Sequence, residues 1–409
     1  MTPEKKQAPT RFIGLDIHKH FFVAVAMDAA ANEVLGPQQV PMARLVPWAQ
    51  RHLTPQDAVV LEMTTNSFQV YDDLRPLVHS VIIVHPPHVD LIVRAQVMTD
   101  KIAARTLAYL HAKGMLVSIW IPPQEVRDLR AILAQRRKMT RLSTQAKNRL
   151  HAVLHRYYLS LPEGDPFDPQ QRDWWLALPV SPLERVRIQG DLDTLVFARS
   201  QVAHLEEIIT ARAAQDERVP LLVQLPGISI IAAMTILAAI GDITRFPTDK
   251  KLVGYAGFGT KVHDSGQRRR YGRITKKGRR DLRAIMVQAA QTAMRTDPHW
   301  EKELARLQRR MPRNKAIVAI ARKLLVAVWH VLTKGEADRY AQPERLARKF
   351  MQHTYRLGKA NRPAGQTTTA YVREQLDALG VGAELTAIPW GRKRVIALPP
   401  STLKPAGDK

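Results

Sequence analysis

Apolar positions divide this chain by their spacing. In residues 11–115 short apolar runs alternate with amphipathic stretches. RFIGLDI and FFVAVAMD, then VLGPQQV after the polar turn AAANE, predict three consecutive strands in a meander. AVVLEM (58–63) and SVIIVH (80–85) are continuous apolar runs, the pattern of strands buried on both faces. Between them NSFQVYDDLRPL has helical spacing. A meander followed by strand–helix–strand is the order of an RNase H-like sheet. TDKIAARTLAYLHAKG predicts a helix capped by Thr99 or Asp100 and stopped at Gly114.

The spacing then changes. Leu129, Ile132, Met139, Leu142, Ala146, Leu150 and Val153 form one helical stripe. Leu192, Leu195, Val202, Leu205 and Ile209 form another after the Pro-rich break LPEGDPFDP. Two long stripes fit an antiparallel helical arm or coiled coil, and fit two core helices of a bundle equally well. PLLVQLPGISIIAAMTILAAIGD reads as apolar helix, Pro-Gly turn, apolar helix. That unit is helix–hairpin–helix-like, with a turn whose amides can meet a phosphate. Two more helices are predicted around 276–295 and 313–333. The last residues, PWGRKRVIALPPSTLKPAGDK, predict no stable fold.

Composition narrows the partner. The chain has 409 residues, a formal charge of +25 and an isoelectric point of about 10.5. That excess is the footprint of a polyanion binder, with nucleic acid ahead of an acidic membrane surface. Cysteine is absent, which excludes disulfides and thiolate metal sites. The leading MTPEKKQAPT lacks an apolar signal core, and no stretch reads as a bilayer span, so the cytoplasm is the expected compartment.

Three carboxylates carry the candidate chemistry. Asp16 lies among Ile13, Leu15 and Ile17 in the first strand, Glu62 ends the fourth, and Asp100 opens a helix. Adjacent strands of an RNase H-like sheet would let Asp16 and Glu62 converge. Hard oxygen ligands suit Mg²⁺ (or Mn²⁺), and phosphoryl chemistry often places two such ions about 4 Å apart. A carboxylate in an apolar strand is costly unless paired or metal-bound. The plainer reading leaves Asp16 and Glu62 at strand ends, solvated or capping.

Ser265 sits in Asp264-Ser265-Gly266, which reads as an exposed turn. Between Lys261 and Arg283 ten Lys/Arg face two Asp. The run is either a solvated face or a loop that wraps a phosphate backbone. Arg268, Arg269, Arg270 and Arg273 are the candidate clamps. Lys276, Lys277, Arg279 and Arg280 support them or cap the next helix. His18 and His20 read as structural or phosphate-contacting, and Trp174 and Trp175 as packing, with base stacking as the alternative.

GLDIHKHFFVAV, LEMTTNSFQVYDDL and TDKIAARTLAYL, in that order, resemble the RuvC-like domain of the DEDD insertion-sequence transposases. This is the insertion sequence one-ten family, related to the Piv invertase. LPGISIIAAMTILAAIGDITRF, KLVGYAGF and HDSGQRRRYGRITKKGRRDLRAIMVQAA resemble its second half. The resemblance covers most of residues 11–335. It implies a metal site of Asp, Glu, Asp and Asp, the last two in a T-D-x-x-D-A pattern. Asp16, Glu62 and Asp100 fill three places. The fourth holds Ala103, one turn from Asp100 on the same helix face. An inactivating substitution, a decayed copy and a variant using another carboxylate such as Asp90 all fit. The intact surroundings favour the first. The resemblance also implies that Ser265 is a nucleophile forming a phosphoserine link. It further implies a structured noncoding bridge RNA as guide, and a dimer or tetramer holding donor and target double-stranded DNA.

The expected organisation follows. Residues 1–10 are a disordered N-terminus and 11–123 an α/β RuvC-like DEDD domain. Residues 124–215 are a helical or coiled-coil arm. Residues 216–335 are a mostly α transposase domain with the helix–hairpin–helix-like unit and the serine, and 336–409 are a basic extension. The expected function is a DNA transposase or site-specific recombinase, impaired at Ala103. The rivals are a non-catalytic RNA/DNA-binding scaffold and a RuvC-like junction nuclease without a covalent intermediate.

Overall fold

A computed structural model describes residues 8–87, 99–265, 268–362, 365–391 and 394–403; of 262–265 and 268–271 it describes the backbone only. Most of the predicted disordered N-terminus (1–10) and Asp90 lie outside the described residues. The chain divides into two compact units, 1–123 and 124–409.

In the first unit β1 (Arg11–Ile17), β2 (Phe21–Asp28) and β3 (Glu33–Pro41) form the antiparallel meander. A helix the spacing did not announce, α1 (Leu45–His52), leads to β4 (Asp57–Glu62), α2 (Ser67–Leu74), β5 (Ser80–Val84) and, further on, α3 (Asp100–Ala112). The mixed sheet has the order β3-β2-β1-β4-β5, with β1, β4 and β5 mutually parallel. Side chains alternate across it. Ile13, Leu15, Ile17, Val59 and Leu61 pack with Trp48, Val70 and Leu74 of α1 and α2. Val23, Val25 and Val60 pack on the opposite face, with Ala104, Leu107 and Leu110 of α3. By that alternation Phe12, Gly14 and Asp16 share the α3 face.

Gly14 sets how closely α3 approaches. A Cβ there would lie 2.1 Å from the Ala104 carbonyl oxygen and 2.6 Å from the Ala108 nitrogen. Helix backbone rests directly on strand backbone at this point, which only glycine permits.

The second unit opens with α4 (Gln124–Arg156) and, after the short α5 (Arg172–Leu176), α6 (Pro182–Ala213). The ion pairs Arg136–Glu206, Arg149–Asp191 and Arg156–Glu184 run in opposite order along the two long helices, so they are antiparallel. Ala146, Leu150 and Val153 bury against Ile188, Leu192 and Leu195, with Trp175 in the same cluster. Trp175 packs and donates its Nε1–H to the Pro166 carbonyl at 2.6 Å.

The larger core joins α7 (Arg218–Val223), α8 (Ile230–Ile240), α9 (Asp249–Tyr255), a hairpin of β6 (Thr260–Ser265) and β7 (Arg268–Ile274), α10 (Arg280–Thr296), α11 (Pro298–Gln308) and α12 (Arg313–Lys334). Where two helices were expected after the basic run there are three, because Asp297 caps a separate α11 with Pro298 at its first position. Within the basic run Arg268–Ile274 pairs with Thr260–Ser265 as an antiparallel hairpin, and the turn read at Asp264-Ser265-Gly266 runs into residues outside those described. Among the described residues one helix, α12, is long and apolar enough to cross a membrane, against the expectation, with a mean hydropathy of 1.7 over an 18-residue window. Its Ile320, Leu324, Leu325 and Val328 are fully buried in the core.

Beyond residue 336 the described residues also fold, and 389–391 and 394–403 do so against expectation. α13 (Pro343–Leu357), α14 (Thr368–Ala378), β8 (Ala387–Trp390) and β9 (Arg394–Ala397) bring Phe350, Met351, Val372, Leu376, Ile388 and Leu398 into that core. Arg373, buried in α14, donates to the carbonyls of Gly382 (2.8 Å), Leu385 and Pro399 (2.9 Å). Asp377 accepts from Ser401 Oγ (2.7 Å) and from the Thr402 backbone N–H (2.8 Å). Polar anchors therefore pin a segment whose composition is poor in apolar residues.

Candidate active site

Asp16 and Glu62 stand at the carboxyl ends of adjacent parallel strands. The last paired residues are Leu15 and Leu61, and each carboxylate is one residue further on. Alternation from Val60 puts Glu62 on the α3 face with Asp16. The Glu62 carbonyl accepts the Ser67 hydroxyl at 2.9 Å, which turns the chain into α2. Asp100 reaches the same end because α3 starts there. Thr99 caps the helix by accepting the Ile102 N–H at 3.4 Å, while the Gly14 contact fixes the helix on β1.

Sequence reading gave His18 no metal partner, and here the structure adds a residue. His18 Nε2 lies 3.3 Å from Asp16 Oδ2 and 3.4 Å from Asp100 Oδ1. The ligand atoms of Asp16, His18 and Asp100 all lie within 4.8 Å of one another; Glu62 is beside this group on β4, not within it. His18 is held by its N–H to the Phe21 carbonyl (2.9 Å) and by stacking on the Phe21 ring, with centroids 4.6 Å apart. Its position two residues beyond Asp16 was visible. Its meeting with Asp100 depends on the long-range placement of α3.

Burial raises the Asp16 carboxyl above the ordinary carboxylate range; His18 opposes that shift and Asp100 adds to it. Two neighbouring carboxylates, one partly desolvated, favour a cation between them. Two oxygen donors suit Mg²⁺ or Mn²⁺, and the imidazole favours a first-row transition-metal ion over Mg²⁺. Ala103 sits one turn after Asp100, half-buried, its N–H bonded to the Thr99 carbonyl at 2.8 Å. Its methyl group offers no ligand.

Ser265 is the last residue of β6 and pairs through its backbone with Arg268; Asp264 pairs with Arg269 and His263 with Arg270. The side chains of Ser265, Arg268, Arg269 and Arg270 lie outside the described residues. Beyond them the basic segment rests on the 255–259 turn. Thr275, Lys276 and Arg279 donate backbone N–H groups to Gly259 (2.7 Å), Gly257 (3.2 Å) and Tyr255 (2.8 Å). Arg273, Lys276, Lys277 and Arg280 are exposed on this base. Arg279 is engaged within the chain: it precedes α10 and its Nε donates to Asp281 Oδ1 at 3.0 Å.

A five-stranded α/β unit with carboxylates at the strand ends, followed in the chain by a helical unit that carries a basic run, fits a nucleic-acid-processing class. Comparison with known families agrees. The DEDD transposase family model matches residues 13–159, and the model described as the IS116/IS110/IS902 transposase family matches 219–305. Together they span more than half of the chain, which belongs to the IS110-type DEDD transposases and is a DNA transposase/recombinase. Among curated relatives, the transposase for insertion sequence element IS1111A of Coxiella burnetii is 24% identical over 80% of this chain and 91% of its own. A probable family 20 transposase of Pseudomonas aeruginosa is 25% identical over 79% and 96%. The pilin gene-inverting protein of Moraxella bovis is 26% identical over 79% and 96%.

Proposed function

We propose that this transposase cuts and rejoins donor and target double-stranded DNA through Ser265, assisted by a divalent metal at an RNase H-like carboxylate site. The observation that carries this reading is the convergence of Asp16, His18 and Asp100 at one end of β1. Asp16, Glu62 and Asp100 would hold Mg²⁺ or Mn²⁺, with His18 as a further donor. A bound ion there supplies Lewis acidity to the phosphate and to the attacking hydroxyl. Ser265 attacks phosphorus, forms the O–P bond and displaces a strand oxygen that takes up the proton; the hydroxyl freed on the other duplex then attacks the phosphoserine, joins the strands and releases Ser265. Arg268, Arg269, Arg270, Arg273, Lys276, Lys277 and Arg280 hold the strand backbone. The residue-level support here is the density of the basic run.

The finer assignments go with this reading. Residues 11–123 act as the DEDD domain, 124–215 as a coiled-coil arm, 216–335 as the transposase domain with the serine and 336–409 as an extension. A structured guide RNA, a dimeric or tetrameric assembly and a cytoplasmic setting complete it. Ala103 removes one ligand and lowers activity. That single residue also favours a second reading, a non-catalytic RNA/DNA-binding scaffold.

A suicide-substrate gel tests the reading. Nicked donor DNA with Mn²⁺ is expected to give a covalent protein–DNA adduct that Ser265→Ala abolishes. Nicking that survives Ser265→Ala contradicts the serine mechanism and points to a junction nuclease. Binding with no cleavage, also after Ala103→Asp, points to the scaffold.

A further inference from the structure

The second unit contains a cavity of about 520 Å³ between the 224–229 hairpin, the end of α10 and α13. The hairpin is rigidly placed. Gly227 has φ 79°, and a Cβ on it would meet the Ala289 carbonyl oxygen of α10 at 2.0 Å. The hairpin feeds directly into α8, whose cap Ser229 accepts the Ala232 N–H at 3.3 Å. The remaining first-turn amides have no partner within the helix and carry its positive end.

α13 closes the other side and is clipped to the hairpin. The Lys349 ammonium donates to the carbonyls of Val223, Leu225 and, at 3.3 Å, Ile228. One turn later His353 lines the cavity, only 3% exposed, and neither ring nitrogen has a hydrogen-bond partner among the described residues. A buried polar group without a partner is costly, and a small turn of the ring toward the cavity it lines would let a ligand there supply one. Burial holds this imidazole neutral, lowering it to about 4, so it offers one donor and one acceptor.

The rest of the wall selects an anion. Arg348 and Arg356 are exposed and line the same cavity, Arg356 one turn after His353 on its face of α13. Of the two carboxylates, Asp297 is paired with Arg345 at 3.0 Å, and Asp338 accepts the Tyr340 N–H at 3.1 Å. Basic groups and a helix N-terminus thus meet an orphaned buried donor, and the volume exceeds that of a bare ion.

We propose that this cavity seats a backbone phosphate of a nucleic-acid strand, held by His353, Arg348 and Arg356 and by the first-turn amides of α8. The C-terminal region would then be part of the nucleic-acid grip. The proposal rests on the reading of this chain as a nucleic-acid enzyme, yet uses neither Ser265 nor the carboxylate site.

The test is fluorescence anisotropy of the full chain with duplex DNA and with hairpin RNA, paired with thermal melting. His353→Leu changes no charge at pH 7.5, so bulk electrostatics cannot explain its effect. It is expected to weaken binding of at least one of the two nucleic acids about tenfold, with melting unchanged or higher. Arg348→Ala is expected to weaken the same complex about tenfold and reduce its salt slope by about one. Arg309→Ala, an exposed arginine outside the cavity lining, is the control and changes affinity less than about twofold. His353→Gln, which keeps a donor, should retain most of the affinity. Where His353→Leu fails to fold, Arg348→Ala against Arg309→Ala decides. Higher melting with unchanged binding in His353→Leu would overturn the proposal, leaving a water-filled void. Inorganic phosphate that protects wild type from melting while both variants bind nucleic acid normally would also overturn it, leaving a free-anion site. None of these readouts needs DNA cleavage, so failure here is separable from failure of the serine mechanism.

Discussion

Gly14 of β1 and Ala104 of α3 meet backbone to backbone, with 2.1 Å left for a Cβ that glycine does not have. This contact places Asp100 over the end of β1, next to Asp16. Gly14→Ala must therefore lift α3. Overpacking of this kind costs on the order of 1–3 kcal/mol. A lower urea midpoint together with weaker Mn²⁺ binding is the expected pair of results. Lost stability with unchanged metal affinity would show that the contact does not position the site.

His18 bridges Asp16 and Asp100 at 3.3 and 3.4 Å. His18→Ala is expected to lower Mn²⁺ affinity about tenfold, as loss of a ligand or of a partner orienting one does. Electron paramagnetic resonance titration of Mn²⁺ measures it. Equal affinity in the variant would limit His18 to pairing with the empty carboxylates.

Acid should destabilise the fold through two buried histidines. Burial lowers His111 and His353 to about 4 from an ordinary 6.5. Between these values the unfolded chain binds more protons than the folded one. Stability is therefore full above about pH 6.5 and falls as pH drops towards 4. His111→Leu should flatten that slope, read as the urea midpoint at pH 7 and pH 5. An unchanged slope would assign the acid sensitivity elsewhere.

Local pattern carried the strands and the two helical stripes. Asp16 and Glu62 stood out because a carboxylate interrupts an apolar run. What stayed hidden depended on distant contacts. His18 becomes a possible ligand only because α3 crosses β1 at Gly14. The segment from Pro389 looked unfolded because its order comes from Arg373 and Asp377 binding the Pro399 carbonyl and the Ser401 hydroxyl, which apolar periodicity does not register. The length of α12 was legible, but its hydropathy was underread.

The most direct test of a carboxylate site one ligand short is strand exchange by the wild type, Ala103→Asp and the double variant Ala103→Asp with Asp16→Asn, each with guide RNA and Mg²⁺. A carboxylate at position 103 faces the same way as Asp100. Ala103→Asp is expected to raise exchange by orders of magnitude, about 10²-fold or more on the scale of a restored catalytic charge, and Asp16→Asn to abolish the gain. Equal exchange by wild type and Ala103→Asp would contradict the account, because position 103 would then not be the missing ligand.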